Sequence, residues 1–112
     1  MPLCETRCAH LNCRQLANDN HLPITILPMD VLDDQSVQGS IDFVLSKEGY
    51  IDVLVNNAGI AAWSAVEELP MEEFKAVMET NYFGTLRCIK AVLPSMRERR
   101  SGSIINVTLC CR

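Results

Sequence analysis

Three polar side chains, Asp30, Asn56 and Thr108, each come at the end of a short run rich in β-branched residues. If those runs are parallel strands, their carboxyl ends meet at one edge of a sheet, which is where ligands bind in open α/β sheets. A carboxylate, a carboxamide and a hydroxyl at that edge can hold a ligand by hydrogen bonds. The sequence therefore points to the carboxyl edge of a sheet as the place of a binding site.

The cysteines do not favour a metal site. They are Cys4, Cys8, Cys13, Cys88, Cys110 and Cys111, and no two have the CxxC spacing of zinc ribbons and thioredoxin-type sites. Cys4, Cys8, His10 and Cys13 could form a metal cluster. However, Cys4 and Cys8 are also i,i+4 neighbours on one helical face, where a reduced Cys packs as a small apolar residue. We favour the helical interpretation and predict no metal.

The composition fits one globular domain and argues against several classes of protein. The chain has 112 residues, of which 48% are apolar and 21% charged, and its formal net charge is -4. An acidic chain offers no electrostatic footprint for nucleic acid. No apolar run approaches the roughly 18 residues of a membrane span, and polar residues interrupt the N-terminal stretch where a secretory signal would lie. We therefore expect a reducing, cytoplasmic compartment and free thiols.

The first half of the chain predicts a helix, a strand and a second helix. Residues Glu5 to Asn18 are compatible with a helix, which makes 1–23 an N-terminal helical segment. The run Ile24 to Leu27 predicts a strand, and Pro28 places it at an edge because proline lacks a ladder N–H. Asp33 or Asp34 can cap the next helix, and Gly49 ends it.

The second half predicts two strands separated by a long helix. Ile51 to Val55 is a nearly continuous apolar run, as expected for a strand covered on both faces. A long amphipathic helix follows Pro70, a residue that fits the first helical position. Ile104 to Val107 forms the last strand. This alternation predicts a single α/β domain over residues 1–112, with about three parallel strands and flanking helices.

Three pieces of the sequence together resemble the short-chain dehydrogenase/reductase family. They are the strand and turn IDVLVNNAG at 51–59, the segment ETNYFG at 79–84 that contains Asn81, and GSIINVT at 102–108. The segment Leu27 to Val31 extends the resemblance, which covers about residues 24–108. It implies an incomplete Rossmann-like doubly wound fold, an NAD or NADP cofactor, and a small-molecule alcohol or carbonyl substrate.

The resemblance also implies roles for particular residues. The family's Asp at the position of Asp30 hydrogen-bonds the adenine amino group, and the residue at Val31 offers its backbone N–H. The stretch that lines the cofactor matches Asn56, Asn57, Ala58 and Gly59. The Asn at the position of Asn81 is catalytic, since it interrupts its helix and orders a water in a proton relay. From the residues alone, Asn56 could instead simply form a strand-end turn, and Asn81 could lie on a solvated helix face.

Other parts of the family pattern are missing from this sequence. The phosphate cradle is a Gly-rich turn, but the five glycines, Gly39, Gly49, Gly59, Gly84 and Gly102, are never closer than ten residues apart. The acid/base is a Tyr with Lys four residues on, and neither Tyr50 nor Tyr82 has that Lys. The position of the catalytic Ser is occupied by Leu109, and residues 109–112 read as an aberrant tail.

These gaps suggest an internal fragment of an oxidoreductase that is inactive by itself. The alternative is a non-catalytic truncated isoform or gene remnant, which at most pairs with intact subunits. The helix between residues 71 and 96 resembles the element through which family members form homo-oligomers. Its apolar residues could serve either that interface or the core, and we favour the core.

The family's strand order, 3-2-1-4-5, makes a prediction about the sheet. Ile51 to Val55 and Ile104 to Val107 should pair in parallel, because they are neighbours in that order. The strand at Ile24 would be separated from Ile51 by two strands that the chain lacks. It could slide over and pair with Ile51 to Val55, or the gap could remain. We expect pairing, because it would bury an apolar edge.

Overall fold

The computed structural model describes residues 15, 16 and 18–108. Its elements are the helix α1 (Asp34–Glu48), the strand β1 (Val53–Asn56), the helix α2 (Met71–Met78), a π-helical turn (Glu79–Phe83), the helix α3 (Gly84–Arg99) and the strand β2 (Ser103–Asn106). No helix in this part of the chain is both long and apolar enough to cross a membrane.

Several predictions about the two ends of the chain fall on residues that the structure does not describe. The candidate metal ligands Cys4, Cys8, His10 and Cys13 lie outside the described residues, as do the tail 109–112 and most of the helix predicted from Glu5. Gln15, Leu16, Asn18 and Asp19 are helical.

α1 begins and ends at the residues that the sequence indicates. The Asp33 carboxylate accepts a hydrogen bond from the backbone N–H of Gln35 at 3.0 Å, which satisfies one of the free donors at the helix start. Gly49 ends the helix in the left-handed region, at φ 83°, where glycine carries no Cβ penalty. Val37 and Ile41, four residues apart, are the buried positions of this helix.

The helix predicted after Pro70 contains a π-helical turn. α2 leads into the π turn at Glu79 and continues as α3. In α3 the buried positions recur every four residues, at Gly84, Cys88, Val92 and Met96. This stripe and the buried residues of α1 form the core of the described region, and Leu54 and Ile104 of the two strands pack against it.

β1 and β2 pair in parallel, with Val53 opposite Ser103 and Asn56 opposite Asn106. The predicted parallel pairing is therefore confirmed, although the strands are displaced by one or two residues from the apolar runs. The helices α1 and α3 pack on the sheet face that carries Leu54 and Ile104. On the opposite face the strand side chains and the residue after β2 are about half exposed: Val53 (51%), Val55 (54%), Ile105 (50%) and Val107 (54%).

The strand predicted at Ile24 to Leu27 is wrong, and so is its pairing with the next strand. The sheet of the described residues has two strands, and residues 22–30 are irregular. This segment runs antiparallel along α1 and is held by side chains, since Lys47 donates to Thr25 and Ser40 donates to the Pro28 carbonyl. An extended apolar run becomes a strand only when another strand supplies a hydrogen-bonding ladder. Residues 24–28 contact side chains of α1 instead and pair with neither β1 nor β2.

Candidate functional site

The end of β1 is fixed by a pair of asparagines. The Asn56 amide donates to the Asn106 amide oxygen at 2.8 Å, across the two strands and in register. Its backbone carbonyl accepts from Val107 N–H at 2.9 Å. Among the described residues, Asn56 is the polar residue that is buried, at 9% exposure. Since buried polar groups need partners, this pair fixes where the chain leaves the sheet. Asn56 is thus a strand-end residue with a specific partner.

The loop after Asn56 is held by Asn81. Ile60 donates its backbone N–H to Asn81 Oδ1, and Asn81 Nδ2 donates to the Ile60 carbonyl, both at 2.8 Å. A Cβ on Gly59 would lie 3.3 Å from Asn81 Oδ1, so glycine allows this close approach. The structure therefore brings Gly59 and Asn81 together, while Asn57 and Ala58 remain exposed between the strand and this contact.

Asn81 lies inside the π-helical turn. Turns of this kind contain one extra residue and are frequent at functional sites. The Asn81 side chain is engaged by Ile60, and the Asn81 backbone carbonyl has a side-chain partner of its own. It accepts the Thr85 hydroxyl at 2.8 Å. The interruption of the helix at Asn81 agrees with the family pattern.

Asp30 lies in a tight turn before α1. Its carboxylate accepts from Leu32 N–H at 2.9 Å, its carbonyl accepts from Asp33 N–H at 3.2 Å, and its own N–H donates to the Ser36 hydroxyl at 2.9 Å. The carboxylate is exposed and keeps free lone pairs. Asp30 therefore follows an irregular segment rather than the strand that was predicted.

The two parts of the candidate site meet on one helix. Val31 lies against Gly84, where a Cβ would be 2.9 Å from Val31 Cγ2. Gly59 lies against Asn81, which is three residues before Gly84 in the chain. The structure thus joins Asp30 and Val31 with the Asn56–Gly59 loop through the start of α3 and the turn before it. Thr108 lies two residues beyond the end of β2.

Two side chains next to the site have shifted pKa values. The hydrogen bond to Glu79 raises the pKa of the Arg87 guanidinium, so this side chain stays charged. Burial raises the pKa of the neighbouring Cys88 thiol, although the Arg87 charge opposes the shift. Cys88 is 3% exposed and is a free thiol within the core. It therefore packs as an apolar residue rather than acting as a nucleophile.

The sequence analysis missed three residues of this arrangement: Ser36, Gly84 and Arg87. For Gly84 and Arg87 the signal lay in spacing, because they are three residues apart on one helix face shortly after Asn81. Their shared contact with Val31 could not be predicted, since Val31 lies in a loop more than 50 residues away. The Ser36 contact is local and could have been predicted from the Asp and Ser that flank the helix start.

Comparison with known proteins gives a consistent result. A sequence model described as short chain dehydrogenase matches residues 4–109. The 3-ketodihydrosphingosine reductase of Bacteroides thetaiotaomicron is 40% identical over 91 residues, which cover 81% of this chain and 34% of that protein. Retinol dehydrogenase 8 of Bos taurus is 41% identical over 85 residues, which cover 76% and 27%. The chain thus spans about a third of the length of the curated relatives it matches.

Solved structures give the same likeness. A short-chain dehydrogenase from Streptomyces avermitilis has a TM-score of 0.78 at 36% identity, over 85% of this chain and 35% of that one. The structure of ElxO with NADP bound has a TM-score of 0.76 at 31% identity, over 85% and 41%. The predicted fold class, a partial Rossmann-like α/β domain, is confirmed.

Proposed function

The chain belongs to the short-chain dehydrogenase family, and from that premise we propose that it forms the cofactor-binding part of an NAD(P)-dependent oxidoreductase interconverting alcohols and carbonyls. The family uses NAD(P) and acts on small molecules. The observation that carries the proposal is the reciprocal hydrogen bonding of Asn81 with Ile60, which presents Gly59 at the carboxyl edge of the sheet. Ligands of open α/β folds bind at that edge.

The residues at this edge fit two ends of a dinucleotide. Asp30 offers an exposed carboxylate with acceptor capacity for an adenine amino group, beside the backbone of Val31. Ala58 and Gly59 are small and exposed, so a flat ring can approach their backbone closely. When bound, the nicotinamide would supply or accept the hydride. The residues of this chain would bind and orient it, and the Asn81 carbonyl could hold a water.

We further propose that the chain by itself does not catalyse the reaction. The sequence holds no Tyr with Lys four residues on and no Gly-rich turn, and Leu109 stands at the position of the family's Ser. General acid–base help contributes about 10²–10⁴-fold in rate. Steady oxidation of NADH or NADPH with a panel of aldehydes and ketones, lost in Asn81→Ala, would overturn this part of the proposal.

Titration with NADH and NADPH, followed by NMR, tests cofactor binding. We expect a dissociation constant in the millimolar range, about -4 kcal/mol, because the sequence contains no Gly-rich turn to hold the pyrophosphate. Shift changes should concentrate at Asp30, Val31 and Gly59. Asp30→Ala should weaken binding, whereas Asp42→Ala, which removes an exposed carboxylate bonded to Gln38, should not. Equal binding by both variants, or no saturable binding, contradicts the proposal.

A second candidate function is a non-catalytic partner of intact subunits, and one observation favours it. Around the junction of α2 and α3 the large apolar and aromatic side chains of Met78, Tyr82, Phe83 and Leu86 are exposed. Such a cluster on a helix is typical of a subunit interface. Sedimentation velocity tests this: Leu86→Lys should reduce association, and Leu22→Lys, an exposed apolar position elsewhere, should leave it unchanged.

A further inference from the structure

Arg87 of α3 joins the nearby π turn to the segment around the start of α1, which lies more than 50 residues away in the sequence. Its Nε donates to the Asp34 carboxylate at 2.7 Å, its Nη1 donates to the Val31 carbonyl at 3.3 Å, and its Nη2 donates to the Glu79 carboxylate. These partners lie at the start of α1, in the loop before α1 and in the π turn. The guanidinium is planar and fixes its donors in a rigid fork, so one side chain can hold all three partners in a defined arrangement.

Gly84 holds the same loop from another direction. A Cβ at this position would lie 2.9 Å from Val31 Cγ2 and 3.4 Å from the Val31 carbonyl oxygen. Gly84 and Arg87 are three residues apart, so they share one face of α3. Val31 is thus packed against the helix by Gly84 and hydrogen-bonded to it by Arg87.

The loop that carries Asp30 and Val31 depends on these contacts for its order. Residues 22–30 are irregular and have no strand beside them. Their anchors are side-chain hydrogen bonds, such as those from Ser40 to Pro28 and from Asp30 N–H to Ser36. A segment held in this way opens at low free energy, so each anchor has a large effect on its order.

We propose that Arg87 is a positioning residue that fixes the Asp30–Val31 loop relative to the loop held by Asn81. This inference rests on the proposed function, since it assigns Asp30 and Val31 to the adenine end and Gly59 to the nicotinamide end of a dinucleotide. Asn81 and Arg87 lie six positions apart on one continuous helical body, so the helix sets the distance between the two loops. A loop held in place before binding spares the ligand the entropy cost of ordering it.

The test compares Arg87→Met and Arg87→Lys with Arg99→Met. Arg99 is a matched control because it lies in the same helix and also binds one backbone carbonyl, of Ile51, and one carboxylate, of Asp52. Amide hydrogen exchange of Leu32 and Asp33 reports the order of the loop. NMR titrations with ADP-ribose and with nicotinamide mononucleotide report the two ends of the site separately.

In Arg87→Met we expect exchange at Leu32 and Asp33 to accelerate about tenfold, the factor that a loss of about 1.4 kcal/mol gives. The affinity for ADP-ribose should fall by a similar factor, and the affinity for nicotinamide mononucleotide should not change. Arg87→Lys should restore part of both effects, because an ammonium group can keep a carboxylate but not the three-way fork. Arg99→Met should change neither.

Each arm has a result that overturns one statement. Unchanged exchange at Leu32 and Asp33 in both Arg87 variants overturns the positioning role. A loss of both ligands to the same extent also overturns it, because the effect would then be general destabilisation. If the wild-type chain binds neither ligand while exchange responds as expected, the cofactor proposal fails and the anchoring by Arg87 stands. Should Arg87→Met not fold, Arg87→Lys carries the same comparison.

Discussion

At the residue scale, Asn81 holds the backbone of Ile60 by two reciprocal hydrogen bonds. Asn81→Asp tests this, because the carboxylate keeps an acceptor for the Ile60 N–H but places an oxygen against the Ile60 carbonyl. We expect a loss of about 1 kcal/mol in the free energy of unfolding, typical of one hydrogen bond, and faster exchange of the Ile60 amide. Asn57→Asp, at an exposed position in the same loop, is the control. Equal urea midpoints for the two variants would contradict a stabilising role of the Asn81–Ile60 hydrogen bonds.

Cys88 gives a prediction about pH. Because burial raises the pKa of its thiol, the folded state holds the thiol proton more tightly than the unfolded state does. The stabilisation is complete below about 8.5, the value of an unperturbed thiol, and is lost as pH rises through the higher folded value. The free energy of unfolding of the wild type should therefore fall more steeply with pH in the alkaline range than that of Cys88→Ala. Urea titrations at several pH values measure the slopes, and parallel slopes would refute the prediction.

The sequence predicted which residues matter at this scale better than it predicted their contacts. Asn56 and Asn81 were singled out by the resemblance to the family, and both have defined hydrogen-bonded partners in the structure. The partners themselves, Asn106 and Ile60, depend on how strands and loops are brought together over 21 to 50 residues. No local pattern carries that information.

At the scale of elements, two glycines predict opposite outcomes of the same substitution. Gly102 has φ 156°, and a Cβ there would lie 2.6 Å from Met96 Cγ and Sδ. Gly102→Ala should destabilise the protein by about 1–3 kcal/mol, the usual cost of overpacking. Gly39 lies inside α1 with nothing within 4 Å of the added atom, so Gly39→Ala should stabilise it by about 1 kcal/mol. Thermal unfolding of both variants tests the two predictions. Melting temperatures that shift in the same direction would contradict them.

The predicted elements succeeded where local signals decide them. The ends of α1 follow from Asp33 and Gly49, whose side-chain and backbone chemistry is local. The prediction of a strand at Ile24 to Leu27 failed because strand formation depends on a neighbouring strand as much as on the composition of the segment. The displacement of β1 to Val53–Asn56 has a similar cause, because pairing with β2 sets its limits.

At the scale of the whole molecule, the sheet is covered on one side by the residues that the structure describes. The helices α1 and α3 pack on the face of Leu54 and Ile104. The opposite face presents four half-exposed aliphatic side chains, those of Val53, Val55, Ile105 and Val107. Apolar patches of this kind associate, and so do strand edges without a partner. We expect the chain to sediment faster as its concentration rises.

The double variant Val55→Thr and Ile105→Thr should reduce that association, because it places hydroxyl groups on the exposed face and keeps the β-branched shape. Leu22→Thr, at a position that is also about half exposed but lies away from the sheet, is the control. Sedimentation velocity at several concentrations measures the effect. Association that persists in the double variant would assign it to another surface.

The π-helical turn has a consequence for the kinds of genetic change that the chain tolerates. Each residue of an α-helix turns the chain by about 100°. Loss of a single codon between Glu79 and Phe83 would remove the one extra residue of the π turn, so this stretch could close as regular α-helix and the Gly84–Met96 stripe would keep facing the interior. Loss of a codon in the middle of α3, which has no extra residue, would rotate everything after it by about 100° and turn the later part of the stripe away from the interior. Single-residue deletions should therefore be tolerated better between Glu79 and Phe83 than in the middle of α3.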